Sequence, residues 1–187
     1  MTGLTLVELL VTLTVLITLM TLAVPSFQAQ IAASRVTAAT NELTATLARA
    51  RNEAIRLGSR VTVCRANAAL TGCSSTSGEG WERGWLVFVD PTRSTTPAID
   101  SGETVTFKVQ PYDGDLLMLG NSDYVSFAPD GRSKQMNGAF LAATIRVCSR
   151  SGALENTDRA RDLVLSATGR VVVDKPTVAS TCPAPSP

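Results

Sequence analysis

The sequence predicts an α+β protein in which one long N-terminal helix precedes a domain of antiparallel β-sheets. Three patterns carry this prediction. Residues 4–24 are predominantly apolar and carry one charge, Glu8, and apolar residues then recur every three or four positions as far as Leu57. Beyond Gly58, short runs of β-branched and aromatic residues alternate with turn signals. These patterns are typical of a membrane-length helix, an amphipathic helix and β-strands, respectively.

The first part of the predicted helix is long enough to cross a membrane. At about 1.5 Å of rise per residue, residues 4–24 extend for about 30 Å, the thickness of a bilayer core. A secretory signal peptide fits less well, because no Lys or Arg precedes this apolar run and the run is too long. The carboxylate of Glu8 is costly in lipid unless a partner neutralises it or it lies at the headgroup level.

The second part of the predicted helix is amphipathic and runs to Leu57, so that one helix covers residues 4–57. Gly58 is well placed to end it, because glycine readily adopts the left-handed conformation of a helix C-terminus. We expect the apolar stripe of this part to pack on the domain that follows. The stripe consists of Val36, Ala39, Leu43, Leu47, Ala50, Ala54 and Leu57.

Residues 58–182 are predicted to form a β-rich globular domain, and the proline-rich residues 183–187 an extended, mobile tail. The last two predicted strands are joined by three residues ending in Gly169, which indicates a hairpin. The predicted strands are residues 60–65, 85–90, 104–110, 124–128, 144–148, 163–166 and 170–174.

The composition argues against an enzyme. The chain has 187 residues, 17 Lys+Arg, 16 Asp+Glu and no His, which gives a formal net charge of +1. Without histidine, neither a Ser–His–Asp triad nor an imidazole metal site can form. Asp113 and Asp115 could serve as paired acids or as calcium ligands, but a turn is the more typical role of such a segment. We therefore predict no catalytic residue, metal or cofactor.

Four cysteines suggest two disulfides in an oxidising compartment. Three pairings are possible, and we favour Cys64 with Cys73 and Cys148 with Cys182, the second pinning the tail to a strand. The alternatives are free buried thiols or a zinc site. The zinc site fits poorly, because no two cysteines have the close spacing that such sites use.

The N-terminus resembles a known motif. Residues 3–10, Gly-Leu-Thr-Leu-Val-Glu-Leu-Leu, resemble the prepilin motif of type IV pilins and type II secretion pseudopilins. The resemblance implies that prepilin peptidase cuts between Gly3 and Leu4 and that Leu4 is then N-methylated. It also implies that Glu8 pairs with a neighbouring subunit's N-terminal amine and that Pro25 bends the helix. The chain departs from the family in having Leu4 where Phe is usual, and a leader of residues 1–3 that is shorter and not basic.

Further segments resemble the GspH/FimT group of minor pilins and pseudopilins, so that the resemblance covers nearly the whole chain. These segments are residues 49–58, 61–64, 81–88 and 165–171. The group implies a pilin-like fold, with antiparallel sheets packed on the C-terminal half of the helix. It also implies a single pass through the bacterial inner membrane, a periplasmic domain, and later residence in a pilus or pseudopilus.

The resemblance implies a minor pilin that acts structurally in filament initiation or at the filament tip. Two alternatives remain: a DNA-binding pilin for natural transformation, and a type II secretion pseudopilin of the GspH kind. The implied partners are other major and minor pilins, prepilin peptidase, the inner-membrane assembly platform, membrane lipid before assembly and, in the second case, DNA.

The DNA hypothesis rests on basic residues near the C-terminus. DNA-binding members of the group carry a Gly-Arg-x-Arg motif, whereas residues 169–172 read Gly-Arg-Val-Val, so only Arg170 matches. Lys175 and Arg146 could add phosphate contacts. Acidic residues are interleaved with these bases, and such a mixed surface is more often a solvated face.

Two tryptophans, Trp81 and Trp85, have two interpretations. One ring could stack on a ligand or base. Aromatic side chains more often anchor a small core, which is the interpretation we favour.

Overall fold

The computed structural model describes residues 5–76, 78–92 and 96–185, apart from the side chain of Leu22. One helix, α1, covers Leu6–Leu57. The Thr5 side chain caps its N-terminus by accepting a hydrogen bond from the Glu8 backbone N–H at 3.3 Å. Gly58 ends it in the left-handed conformation, with φ of +60°. Both ends therefore follow local sequence signals.

The domain consists of two four-stranded antiparallel sheets. The first has the strand order β3-β2-β1-β5 and the second β4-β6-β7-β8. A single 3-10 turn, Trp81–Arg83, precedes β2. The strands are β1 Val61–Arg65, β2 Trp85–Val89, β3 Thr104–Val109, β4 Leu116–Gly120, β5 Tyr124–Phe127, β6 Ala143–Ser149, β7 Ala160–Leu165 and β8 Val171–Asp174.

The predicted α+β fold is confirmed, with one strand that the sequence does not predict. Strand β4 reads Leu-Leu-Met-Leu-Gly, which lacks the β-branched and aromatic residues that mark the other strands. Strand β7 begins at Ala160, three residues before the start predicted from the sequence. The added residues include the charged Arg161 and Asp162, which pair with Val147 and Arg146 of β6. The hairpin between β7 and β8 lies where the sequence predicts it.

The core lies where one face of α1 meets the inner faces of both sheets. The buried side of the helix carries Val36, Ala39, Leu43, Leu47, Ala50 and Ala54. Trp81 and Trp85 are fully buried among these elements. The Trp85 indole donates a hydrogen bond to Oγ1 of Thr46 at 3.2 Å, and that of Trp81 to the Ser122 carbonyl at 3.1 Å. Both rings therefore serve the core, and neither is available to stack on a ligand.

Two disulfides cover the outer faces of the sheets. Cys64 of β1 is joined to Cys73, and Cys148 of β6 to Cys182. The second disulfide holds the C-terminal segment across the outer face of its sheet, where Val178 packs against Cys148. Pro185 is buried, so the described end of the tail contacts the domain.

Candidate assembly interface

The N-terminal part of α1 is an exposed apolar surface. Every residue from 6 to 21 is exposed, and the most apolar window of the helix has a mean hydropathy of 2.3 with none of it buried. By length and composition, α1 could cross a membrane. Among the helix side chains that the structure describes, burial begins at Ala32, and the core contacts with the sheets run from Val36 onward. The chain therefore consists of an exposed apolar helical segment, whose contact with water is unfavourable, followed by a folded β-sheet domain.

The threonine hydroxyls of this surface are satisfied within the helix. Thr12 donates to the Leu9 carbonyl at 2.9 Å, and Thr21 donates to the Thr18 carbonyl at 2.8 Å. Thr14 and Thr18 form equivalent bonds. Because these donors are used internally, the threonines cost little in an apolar environment.

Glu8 is the one charged side chain in the exposed apolar segment of residues 6–21. Its carboxylate forms no ion pair or side-chain hydrogen bond with any residue that the structure describes. It lies in the first turn of α1, where the positive end of the helix dipole favours a negative charge. An apolar setting leaves this carboxylate in need of a cation that the described residues do not supply.

The other residues of the prepilin motif fall in two places. Gly3 and Leu4 lie outside the described residues. Pro25 lies inside α1, which continues through it. Proline has no N–H, so the helix loses the hydrogen bond to the carbonyl of Thr21 at this point. The bend that the motif implies stays a prediction.

The far end of α1 is joined to both sheets by Arg51. Its Nε donates to the carbonyl of Gly131, in the turn after β5, at 2.9 Å. Its Nη2 donates to the carbonyl of Thr168, in the turn between β7 and β8, at 3.3 Å. Gly169, with φ of +79°, allows the close approach of the two turns, because a Cβ there would lie 2.2 Å from the Gly131 oxygen.

Two of the three basic residues predicted to contact DNA already form ion pairs with acidic residues of this chain. Arg146 forms a two-point ion pair with Asp162, with both N–O distances 2.7 Å, and its Nη1 donates to the Pro183 carbonyl at 2.9 Å. This pairing raises the pKa of Arg146 above its ordinary value. Lys175 lies 2.6 Å from Asp158, and this contact lowers the pKa of that carboxyl.

Arg170 is the remaining predicted DNA contact. It is exposed, and its side chain pairs with no acidic group in the described part of the chain. With Arg146 and Lys175 neutralised, these three residues do not form the unpaired basic patch that phosphate binding needs. The DNA hypothesis therefore stays a prediction that the geometry does not favour.

The described residues hold no group of three or more His, Cys, Asp or Glu side chains that could bind a metal. Asp113 and Asp115 lie in the exposed segment before β4, where the Asp115 carbonyl accepts the Arg150 N–H at 2.9 Å. Residues 114 and 115 form a bend, and the turn role that the sequence favours for this segment stays a prediction.

Besides Arg51, two further side chains make contacts that were not predicted from the sequence. The carboxylate of Glu82 accepts the Met118 N–H at 2.8 Å and so binds the edge of β4. Tyr112 stacks on Trp85 and donates a hydrogen bond to Glu42 of α1. Glu82 lies within one of the segments that suggested the family, but no local pattern predicts its distant partner.

Comparison with known proteins identifies the family. The family model of type II transport protein GspH matches residues 39–169, which include the C-terminal part of α1 and strands β1 to β7. None of the curated proteins compared with this chain matches its sequence.

Two crystal structures of the type IV minor pilin FimU of Pseudomonas aeruginosa PAO1 share the fold. The P65 form is 19% identical with a TM-score of 0.51, and the match covers 78% of this chain and 94% of FimU. The P21 form is 17% identical with a TM-score of 0.50, and covers 83% of this chain and 92% of FimU. At these identities the likeness concerns the fold. The family model, which spans more than half of the sequence, shows that this chain belongs to the GspH family.

Proposed function

We propose that this chain is a non-catalytic subunit, of the minor-pilin type, in a type IV filament. The observation that carries the proposal is the exposed apolar segment of α1, residues 6–21, joined to a domain whose core is complete without it. Such a segment needs an apolar environment, which a bilayer supplies before assembly and a bundle of like helices supplies afterwards. Membership of the GspH family and the fold shared with FimU support this role.

Assembly on this proposal is a transfer between two apolar environments. The helix leaves the membrane and packs against neighbouring helices, so its apolar surface is not exposed to water. Glu8 then receives the N-terminal amine of a neighbouring subunit, which becomes available when prepilin peptidase cuts between Gly3 and Leu4. An opposite charge at close range in a low dielectric stabilises the ionised carboxylate. N-methylation of Leu4 and a bend at Pro25 belong to the same proposal.

The proposed location is the bacterial inner membrane, with the domain in the periplasm. The two disulfides support this side, because the periplasm is oxidising. The proposed partners are other major and minor pilins, prepilin peptidase and the inner-membrane assembly platform. The domain would face outward on the filament, at its start or tip.

A secretion pseudopilin is the second candidate, because the matching family is described as a type II transport protein. The two candidates share the same assembly chemistry and differ in the filament that receives the subunit. Deleting the chain in its host separates them. Loss of surface pili indicates the minor pilin, whereas loss of protein secretion with normal pili indicates the pseudopilin.

Substitutions at Glu8 test the proposed assembly step. Glu8→Ala and Glu8→Gln each remove the negative charge, and we expect both chains to accumulate in the membrane without entering filaments. Thr12→Val is the matched control, since Thr12 lies one turn further along and its hydroxyl bonds only within the helix. The measurement is the share of each chain in sheared filaments. Normal incorporation of Glu8→Gln would contradict the proposed role of Glu8.

A further inference from the structure

The two sheets have four edge strands, and three of them are protected against pairing with another chain. At β4, the Glu82 carboxylate binds the N–H of Met118. At β5, the Ser126 carbonyl accepts the N–H of Lys134 from the following loop. At β3, the pairing with β2 is interrupted by a register shift and Lys108 is exposed. Capping, covering, bulges and lysines are common ways of protecting a sheet edge.

The fourth edge, β8, has none of these protections within its own four residues, and Lys175 and Pro176 follow directly after the strand. Its four residues, Val171–Asp174, contain no proline or lysine and pair with β7 in an unbroken register. No backbone hydrogen bond outside the β7 pairing involves Val171 or Val173. This edge is open to a further strand.

The hydrogen-bonding phase of β8 can be read from the hairpin. The Ser166 N–H donates to the Arg170 carbonyl at 2.9 Å, so Arg170 forms its bonds toward β7. Bonded and non-bonded positions alternate along antiparallel strands. Val172 and Asp174 therefore bond toward β7 as well, while Val171 and Val173 direct their N–H and C=O groups toward the open side.

The side chains along this edge form a symmetrical pattern of charge and apolar surface. Val172 is 44% exposed and Val173 is 43% exposed, one on each face of the sheet. Arg170 precedes the three valines and Asp174 follows them, and both are exposed. Neither charge forms an ion pair among the described residues. Asp174 instead lies opposite Asp162, whose carboxylate is already used by Arg146.

We propose that the open edge of β8 binds an extended strand of a different pilin-type subunit in antiparallel orientation. The inference rests on the proposed function for the identity of that partner. The complementary strand carries an acidic residue opposite Arg170, a basic residue opposite Asp174 and β-branched residues between them. Directly opposed unlike charges and β-branched pairs are the contacts that stabilise neighbouring strands. Val171 and Val173 supply the backbone hydrogen bonds.

A second copy of this chain cannot be that partner within one membrane. Two β8 strands could pair antiparallel, since the segment 170–174 is complementary to itself. The two-fold axis of such a pair is perpendicular to the sheet, and α1 packs along the sheet face. The two helices would then point in opposite directions. Helices of subunits inserted from the same side are parallel, so the partner strand belongs to another subunit.

The first test measures binding of two synthetic peptides to the full-length protein in detergent. One fluorescent probe has the order Arg-Val-Thr-Val-Asp between serines, and the other has the charges exchanged, Asp-Val-Thr-Val-Arg. We expect the first to bind at least about tenfold more tightly, because only it opposes unlike charges in antiparallel orientation. The double variant Arg170→Asp, Asp174→Arg should reverse the preference. Equal binding of both probes, or an unchanged preference in the double variant, would overturn the proposal.

The second test removes a hydrogen-bond donor from the open side alone. Val173→Pro loses an N–H that β7 does not use, a position that edge strands tolerate for proline. We expect at least about tenfold weaker probe binding. Val173→Thr, which keeps the N–H and the β-branched shape, should bind as the wild type does. Wild-type affinity in a folded Val173→Pro protein would overturn the proposal, and should that variant unfold, the charge-reversal arm decides.

Chemical crosslinking in membranes isolated from the host checks the partner, because all subunits there are inserted from the same side. Crosslinked products that the wild type forms and Val173→Pro lacks should contain a different pilin-type chain. A crosslinked dimer of this chain alone that Val173→Pro abolishes would overturn the assignment to a different subunit. Because neither peptide binding nor crosslinking depends on filament growth, failure here is distinguishable from failure of the Glu8 experiment.

Discussion

The Nε atom of Arg51 lies 2.9 Å from the carbonyl oxygen of Gly131. The same guanidinium reaches the turn between β7 and β8 through the Thr168 carbonyl. Gly131 follows the first sheet and Thr168 belongs to the second. One helix side chain therefore fastens both sheets to the end of α1, and this fixes the domain relative to the helix that the filament would hold.

Arg51→Met should lower the free energy of unfolding by about 1–3 kcal/mol, because hydrogen bonds from a charged group to two carbonyls are lost. Urea unfolding of the detergent-solubilised protein measures this change. Arg56→Met is the matched control, since the Arg56 side chain is exposed and forms no ion pair or hydrogen bond among the described residues. A loss for Arg51→Met no larger than that for the control would show that the contact contributes nothing.

Gly169→Ala should destabilise the domain by more than about 2 kcal/mol. Its φ of +79° is unfavourable for alanine, and the added Cβ would lie 2.2 Å from the Gly131 oxygen. Gly152→Ala serves as the control, because a Cβ added there would meet no atom within 4 Å and its φ is not in the left-handed region. Thermal unfolding compares the melting temperatures of the two variants, and that of Gly169→Ala should be the lower. Similar melting temperatures would contradict the close packing of the two turns.

The helix and its C-terminal end could be predicted because their signals are local. Gly58 and the three- and four-residue spacing of apolar residues act within one turn of the helix. The same holds for the hairpin turn that ends in Gly169. The contacts of Arg51 and Glu82 could not be predicted, because their partners are distant in sequence and become neighbours only when both sheets are in place. Strand β4 could not be predicted either, since its burial, rather than its composition, makes it a strand.

The predicted DNA contacts show the same limit. Arg146 and Lys175 are basic residues in a suitable stretch, but each has an acidic partner across a strand or loop. Their charge is known from the sequence, and its neutralisation is known only from the fold. The interleaved acids did predict a mixed surface, and for these two residues that expectation matches the geometry.

Asp90 should make stability depend on pH. It is 3% exposed, and burial raises the pKa of its carboxyl above the ordinary 3.8, although a hydrogen bond from Thr62 opposes the shift. The folded state therefore holds this proton more tightly than the unfolded state. The resulting stability is fully present below the unfolded-state pKa and is lost as pH rises through the folded-state pKa.

Unfolding at a series of pH values compares the wild type with Asp90→Asn, which cannot titrate at this position. From about pH 4 upward, the wild type should lose stability relative to Asp90→Asn. Asp113→Asn, at an exposed position, should keep the slope of the wild type. A parallel course of the wild type and Asp90→Asn across the whole range would contradict the raised pKa.

The two disulfides should differ in their effect on stability. The Cys148–Cys182 disulfide joins residues 34 apart and the Cys64–Cys73 disulfide joins residues 9 apart. In the chain-entropy model the longer loop contributes about 3–4 kcal/mol and the shorter about 2–3 kcal/mol. Replacing each pair by serines and measuring urea unfolding should therefore give the larger loss for Cys148 and Cys182. The opposite order would show that contacts of the C-terminal segment, such as Arg146 with Pro183, do not depend on the disulfide.

The central claim is that this chain becomes a subunit of a filament. The most direct measurement is quantitative detection of the chain in filaments sheared from its host and purified, with the Glu8→Gln strain beside the wild type. The account predicts that the wild-type chain is present in the filaments at a low, fixed ratio to the major subunit, and that the Glu8→Gln chain stays in the membrane fraction. A wild-type chain confined to the membrane while filaments assemble normally would contradict it.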